Sequence, residues 1–386
     1  MLEIKNLKSV ASIILKAVKN KEKIILYGDA DLDGVGSVVI LKETLQNLGC
    51  RDIKVYFPDR EKEGYGISKK ALSYLKKFSP ALFVALDCGI GNFKEAEIAK
   101  KLKFNLVIID HHEILDKLPQ AQIIVDPKQK NDPYPFKGLA TAGIAYKASK
   151  AILRRNFSEN LKNSFLEIVA LATLADMMPE KDENIAFIEN GLDSLKNTWR
   201  PGLKAFFEIE SIRERRSIRE IAQRIISALN ATIVKDHLNE AYLILTSSTV
   251  KDAKVLAEDF LEKSRKRQIM IYEIVEEIKE SHSEKAEEPI VFEGSLYWSF
   301  ALTGSIASRI CNYFKKPTFI YKKLEKESRG SVRMPSGLNG VEAMKKCSSL
   351  LGTYGGHPVA CGFTVKNKNL EKFKECLIRY FEKYAN

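Results

Sequence analysis

Five short apolar runs, "KIILYG", "IKVYFP", "ALFVALD", "LVIID" and "IIVDP", occupy the first third of the chain, each bounded by turn residues. Most are separated by stretches with apolar residues at three- and four-residue intervals, at 37–48, 68–77 and 92–102. A buried strand needs four to eight apolar residues, and a helix between strands lets the next one run parallel to the last. The pattern predicts βαβ units and a parallel sheet.

From about residue 140 to 226 the pattern turns mostly helical ("GIAYKASKAILRR", "FLEIVALATLAD", "IAFIENGLDSL"). Residues 250–280 contain no Gly or Pro and keep helical spacing throughout, which predicts one long helix. After the polar "SHSEKAEEP" a second α/β pattern begins, with "IVFEGS", "TFIYKK" and "CGFTV". The expected organisation is a first domain over 1–249, a connecting helix over 250–280 and a second, smaller α/β domain over 281–386. A chain of 386 residues is comfortable for two cores.

No stretch reaches the roughly 18 apolar residues of a membrane helix. The N-terminal 20 residues read as a surface helix and not as a signal peptide. The six cysteines lie scattered, without metal-ligand spacing, and are expected to be reduced thiols in a cytoplasmic protein. The net charge of +12 fits an anionic partner and fits a Lys-rich solvated surface equally well. The basic runs at 213–224 and 315–333 have the same two readings, and His237 and His282 stand in polar segments and are expected to be exposed.

In an open parallel sheet, functional groups collect at the carboxyl ends of the strands. Three runs end in acid: "IILYGDADLD", "LFVALDCG" and "LVIIDHH". One such Asp can simply cap the next helix. Three strand ends with two adjacent histidines ask for more, because clustered carboxylates repel unless a cation lies among them. Hard divalent cations take carboxylate oxygens, and manganese also takes imidazole. The first acids, Asp29, Asp31 and Asp33, alternate along the chain, which on an extended segment would aim them to one side. They are not an EF-hand, since the twelfth position counted from Asp29 is Ile40 instead of a Glu. Asp176 closes "FLEIVALATLAD", where an acid is unfavourable at the negative end of a helix without a nearby cation.

The stretches "GDADLDG", "LDCGIG", "IIDHHE" and "LADMMPE", in this order, resemble the four signature motifs of the DHH phosphoesterase superfamily. They are most similar to its RecJ branch, where an Asp opens the first motif. "EGYGIS", "DPKQKNDPYPFKGLATAGIAYK", "RPGL", "GSIASRI", "RGSVRMP" and "GTYGGHPVACGF" extend the resemblance over some 330 residues, the last three falling in the DHH-associated C-terminal domain. The resemblance implies two divalent cations, Mn2+ or Mg2+. Asp29, Asp31 and Asp87 would hold one, and Asp33, Asp87, His111 and Asp176 the other. It also implies that His112 faces the scissile phosphate and that Asp110 orients His111. Arg309, Ser331, Arg333, Gly355, Gly356 and His357 would bind phosphate, with the two glycines forming a turn or an anion nest.

The implied activity is hydrolysis of single-stranded DNA or RNA to nucleoside monophosphates. Two rival readings within the superfamily are a phosphodiesterase for short oligonucleotides or cyclic dinucleotides and a Cdc45-like replication component, with GINS as a possible partner. One family feature is missing. "LNATIV" at 229–234 stands where RecJ proteins carry an "NAAGR"-like stretch, and Arg224, a turn earlier, is the candidate substitute. The second α/β domain ends near the last residue given, so the expected form is a compact, archaeal-type homologue without the OB-fold.

Overall fold

The computed structural model describes residues 3–114, 117–213, 216–283 and 287–384. The chain divides into two compact units, 1–264 and 265–386.

In the first unit, the five apolar runs become β1 (Ile24–Gly28), β2 (Ile53–Tyr56), β3 (Ala81–Leu86), β4 (Phe104–Ile109) and β5 (Ile123–Val125). They form one parallel sheet in the order β2-β1-β3-β4-β5. Alternate side chains feed two cores, as the two-residue period of a strand requires. Ile24, Leu26, Val84 and Ile109 join helices Leu7–Lys19, Leu32–Asn47, Thr141–Leu153 and Glu159–Ala175 on one face. Ile25, Tyr27, Phe83 and Ile108 join helices Lys69–Leu75 and Phe93–Lys101 on the other. Full burial of each such side chain is worth about 1.5–3 kcal/mol. A slip of one residue would exchange the two faces, so the register is firmly set.

A small hairpin, β6 (Val234–Lys235) and β7 (Leu238–Asn239), lies beside the ends of β1 and β2. Asn239 donates to the Ala30 carbonyl at 2.8 Å, and the His237 carbonyl accepts from Phe57 N–H. The His237 ring stacks 4.4 Å from Tyr56 and lies 4.3 Å from Tyr74, so this histidine is a packed residue and not a free surface one.

The expected long helix runs from Val250 to Ser283. Ala253, Ala257 and Phe260 belong to the first unit's core, whereas Ile271, Val275 and Ile278 belong to the second's. His282 is fully buried with its ring edge-on to Phe314, against the expectation of exposure. Its polar sequence neighbours concealed the helix face it occupies.

The second unit holds β8 (Val291–Ser295), β9 (Thr318–Lys323), β10 (Glu327–Arg333), β11 (Leu351–His357) and β12 (Ala360–Lys366) in the order β11-β12-β10-β9-β8. Only β8 and β9 are parallel. Gly355 and Gly356 lie inside β11, paired with Gly362 and Cys361, and are neither a free turn nor a nest. Their lack of side chains hid the strand. The expectation of six reduced cysteines also fails, since Cys347 and Cys376 are joined in a disulfide. They lie 29 residues apart, and only the packing of helix Gly340–Lys346 near helix Leu370–Phe381 brings them together. Cys50, Cys88, Cys311 and Cys361 are free.

Candidate metal centre

Three neighbouring strand ends and one helix end of the first unit build the site. Asp29 follows β1, and its N–H donates to the Leu86 carbonyl of β3. The chain does not continue as an extended segment, contrary to the alternation argument. It turns at once into helix Leu32–Asn47, with Asp31 as the N-cap accepting from the Asp33 and Gly34 N–H groups at 3.2 and 3.1 Å. Asp33 sits in the first helical turn. Gly34 is required here, because a Cβ at its position would lie 2.4 Å from the Asp29 carbonyl oxygen. The tight turn gathers all three acids despite the change of geometry.

Asp87 follows β3 in the left-handed conformation (φ 62°), which side chains rarely adopt and which marks strain held by the surrounding fold. Asp110, His111 and His112 follow β4, and Asp176 is the C-cap of helix Glu159–Ala175. Ligand atoms of Asp29, Asp31 and Asp87 lie within 4.8 Å of one another, as do those of Asp33, Asp87 and His111. Asp87 is common to both groups. His111 Nε2 is 3.3 Å from Asp87, 3.5 Å from Asp176 and 3.7 Å from Asp33, while its Nδ1 faces the Leu139 carbonyl at 3.0 Å.

The electrostatics of this cluster are uneven. Arg60 donates to Asp29 and to Asp31, at 2.9 and 2.7 Å. Burial pushes the Asp31 carboxyl up, but Arg60 and the Gly34 N–H outweigh it and hold the group below its usual range. Asp29 stays raised because burial exceeds the pull of Arg60. Among the described residues no Lys or Arg pairs with Asp33, Asp87 or Asp176. Burial and then Asp31 raise Asp33 to about 7. Burial and then Asp33 push Asp87 and Asp176 well above the carboxylate range.

Asp176 Oδ2 is buried without a hydrogen-bond partner. Its contact is the His111 Nε2 at 3.5 Å, and a buried carboxylate oxygen without a hydrogen bond is expensive, which fits a site for a cation. Carboxylates with one imidazole are a donor set for a hard or borderline divalent ion, so the residues fit such a group.

His112 stands beside this cluster. Asp110 holds the ring of His112, where the expectation gave it that of His111: His112 Nδ1 is 2.8 Å from Asp110 Oδ1, which also accepts from the His111 backbone N–H, while Asp110 Oδ2 accepts from Ile90 N–H. Burial works against the imidazolium, yet Asp110 overcomes it and raises His112 to about 9. Tyr65 places its hydroxyl 3.1 Å from His112 Nδ1 and donates to the Asp87 carbonyl. Arg60, Tyr65 and Thr141, whose hydroxyl meets Asp87 at 3.0 Å, were missed in the sequence. Arg60 had a signal, since it follows "FPD" at the end of β2, the neighbour of β1.

In the second unit, Ser331 and Arg333 alternate on β10 beneath helix Phe300–Phe314. Ser331 Oγ is 2.8 Å from Thr303, and Arg333 Nε donates to Ser308 at 3.0 Å. Arg309 turns instead to Gln268 on the long helix. His357 ends β11, paired across the hairpin with Ala360. Of the basic run at 213–224, residues 214 and 215 lie outside the described residues. Arg219 pairs with Glu180, four positions beyond Asp176.

The "DHH family, N-terminal domain" model matches residues 23–173 and the "DHHA1 domain" model residues 288–383. The single-stranded-DNA-specific exonuclease RecJ of Bacillus subtilis (strain 168) is 32% identical over 379 residues, covering 97% of this chain and 48% of that protein. The RecJ of Salmonella typhimurium is 27% identical, covering 97% and 68%. This chain therefore spans about half to two thirds of their length. A crystal structure of exonuclease RecJ bound to manganese superposes with a TM-score of 0.80 at 24% identity, covering 99% of this chain and 96% of that one. With both domain models met in order and RecJ likeness along nearly its whole length, the chain is a RecJ-like member of the DHH superfamily.

Proposed function

We propose that this chain is a metal-dependent exonuclease that hydrolyses single-stranded DNA or RNA to nucleoside monophosphates. One observation carries the reading: Asp33, Asp87 and Asp176 converge on His111, next to Asp29 and Asp31, and among the described residues no Lys or Arg pairs with these three carboxylates. Asp29, Asp31 and Asp87 would hold one divalent cation, and Asp33, Asp87, His111 and Asp176 a second. Manganese is favoured because His111 contributes an imidazole, and because RecJ relatives bind it. Bound divalent ions supply charge neutralisation, acidification of water and polarisation of the phosphate.

The rest is done by the chain. Asp110 holds the proton on His112 Nδ1 and fixes the ring, so that the imidazolium edge is available to a phosphate oxygen as the charge there grows. Tyr65 restrains the same ring from the side. Ser331 and Arg333 offer a hydroxyl and a guanidinium suited to a phosphodiester backbone. No protein nucleophile is needed.

The test is degradation of single-stranded DNA and RNA, end-labelled separately at each terminus, with manganese, magnesium or chelator. Labelled mononucleotide released only with metal is the expected product. Metal-independent cleavage, or equal rates on matched duplexes, would overturn the proposal.

A further inference from the structure

A fourth strand of the parallel sheet also ends in acid. Asp126 follows β5, whose Val125 pairs with Ile109 of β4, and Asp110 N–H donates to the Val125 carbonyl at 3.0 Å. Asp110 and Asp126 are thus neighbours across the β4–β5 ladder. Asp126 is completely buried. Its Oδ1 accepts from Lys128 N–H at 2.7 Å, and among the described residues its Oδ2 has no hydrogen-bond partner. It belongs to none of the ligand groups around Asp87. Two adjacent buried anions would be costly, and helix capping cannot explain this residue, because no helix follows until Thr141.

We propose that Asp126 is a positioning residue for the Asp110–His112 pair, an uncharged carboxyl group beside Asp110 that keeps this corner of the site at one negative charge. The proposal rests on the phosphodiesterase reading above. The charged groups that face it are Asp110 and His112 from the end of β4 and Lys128 from its own loop, itself paired with Glu113. Burial, and then Asp110, push the Asp126 carboxyl up to about 8, against the opposing pull of Lys128 and His112. A second anion there would compete for the His112 proton and loosen the ring. An apolar side chain would strand the Lys128 N–H.

Two measurements on the full chain decide it. In metal-free protein, Asp126→Asn is compared with wild type by thermal melting from pH 5 to 9. A carboxyl whose folded pKa exceeds its unfolded one loses stability as pH rises through that window, whereas Asn does not titrate. The variant is therefore expected to melt higher at alkaline pH, with the advantage fading toward pH 5. A gap that stays constant overturns the uncharged carboxyl. In turnover of a labelled oligonucleotide, Asp126→Asn is expected to keep kcat near neutrality and KM throughout, and to begin its alkaline decline in kcat at a higher pH than wild type. Asp126→Leu is expected to lower kcat about tenfold at every pH. Superimposable kcat profiles for wild type and Asp126→Asn overturn the positioning role. An inactive wild type removes that role together with the phosphodiesterase reading, while melting still reports the charge state of Asp126.

Discussion

The first unit buries two charged clusters, and they are built on opposite principles. In one, Arg200 forks onto Glu43 at 2.6 and 2.9 Å and also reaches Ser164 and the Leu245 carbonyl. Nearby Glu167 accepts from Ser194 and Thr198, both at 2.6 Å. The carboxylates are paired or hydrogen-bonded, and the network ties together helices Leu32–Asn47, Glu159–Ala175 and Pro201–Phe207. In the other cluster Asp33, Asp87 and Asp176 meet, and among the described residues no Lys or Arg pairs with them. Burial alone therefore does not mark function. Unbalanced charge does, because such an arrangement is favourable only when a cation or bound protons neutralise it.

The largest effect expected from this contrast is on turnover. Asp87→Ala removes the carboxylate shared by both ligand groups and should lower kcat by more than the roughly 10–100-fold typical of residues behind a metal ligand. The same substitution should raise the melting temperature of metal-free protein by relieving repulsion. A drop in both would put Asp87 in the structural class. Arg200→Ala should do the reverse, costing about 3–5 kcal/mol of folding stability in denaturant titration, while kcat per folded molecule is kept.

Next comes pH. Asp33, raised to about 7 when folded and titrating near 3.8 unfolded, favours the folded state at low pH. That advantage is lost as pH rises from about 4 to about 7, so metal-free protein should melt progressively lower across this range. Saturating manganese should flatten the curve, and at about 100 times the dissociation constant it should add about 2.7 kcal/mol. A curve indifferent to metal would break the comparison.

The smallest effect is expected in the second unit. Arg333→Ala should raise KM for oligonucleotides about tenfold with little change in kcat, consistent with loss of one charge-assisted contact of about 1.5–3 kcal/mol. Arg309→Ala, with its guanidinium on Gln268, should change KM far less.

The sheet was legible because its strands are uninterrupted apolar runs, and the acids at their ends stood out for the same reason. Alternation along an extended strand does not foresee the backbone that brings Asp29, Asp31 and Asp33 toward Asp87. A cap and a first helical turn converge these carboxylates where an extended strand was assumed. Arg60 and Thr141 escaped because they reach the cluster from other elements, and nothing in a local pattern records a contact between positions 31 or 54 residues apart. The Cys347–Cys376 bond escaped for the same reason. Gly355 and Gly356 misled in the opposite direction, since glycine suggests turns and here lies in a paired strand.

Asp33 has one more property. Its two carboxylate oxygens receive the Thr141 and Ala142 N–H groups, at 2.7 and 2.8 Å, so it closes the amino end of helix Thr141–Leu153. Whatever draws electron density from that carboxylate weakens its hold on two backbone amides. Hydrogen–deuterium exchange at Thr141 and Ala142 would then register occupancy of the neighbouring pocket from within the polypeptide, independently of turnover.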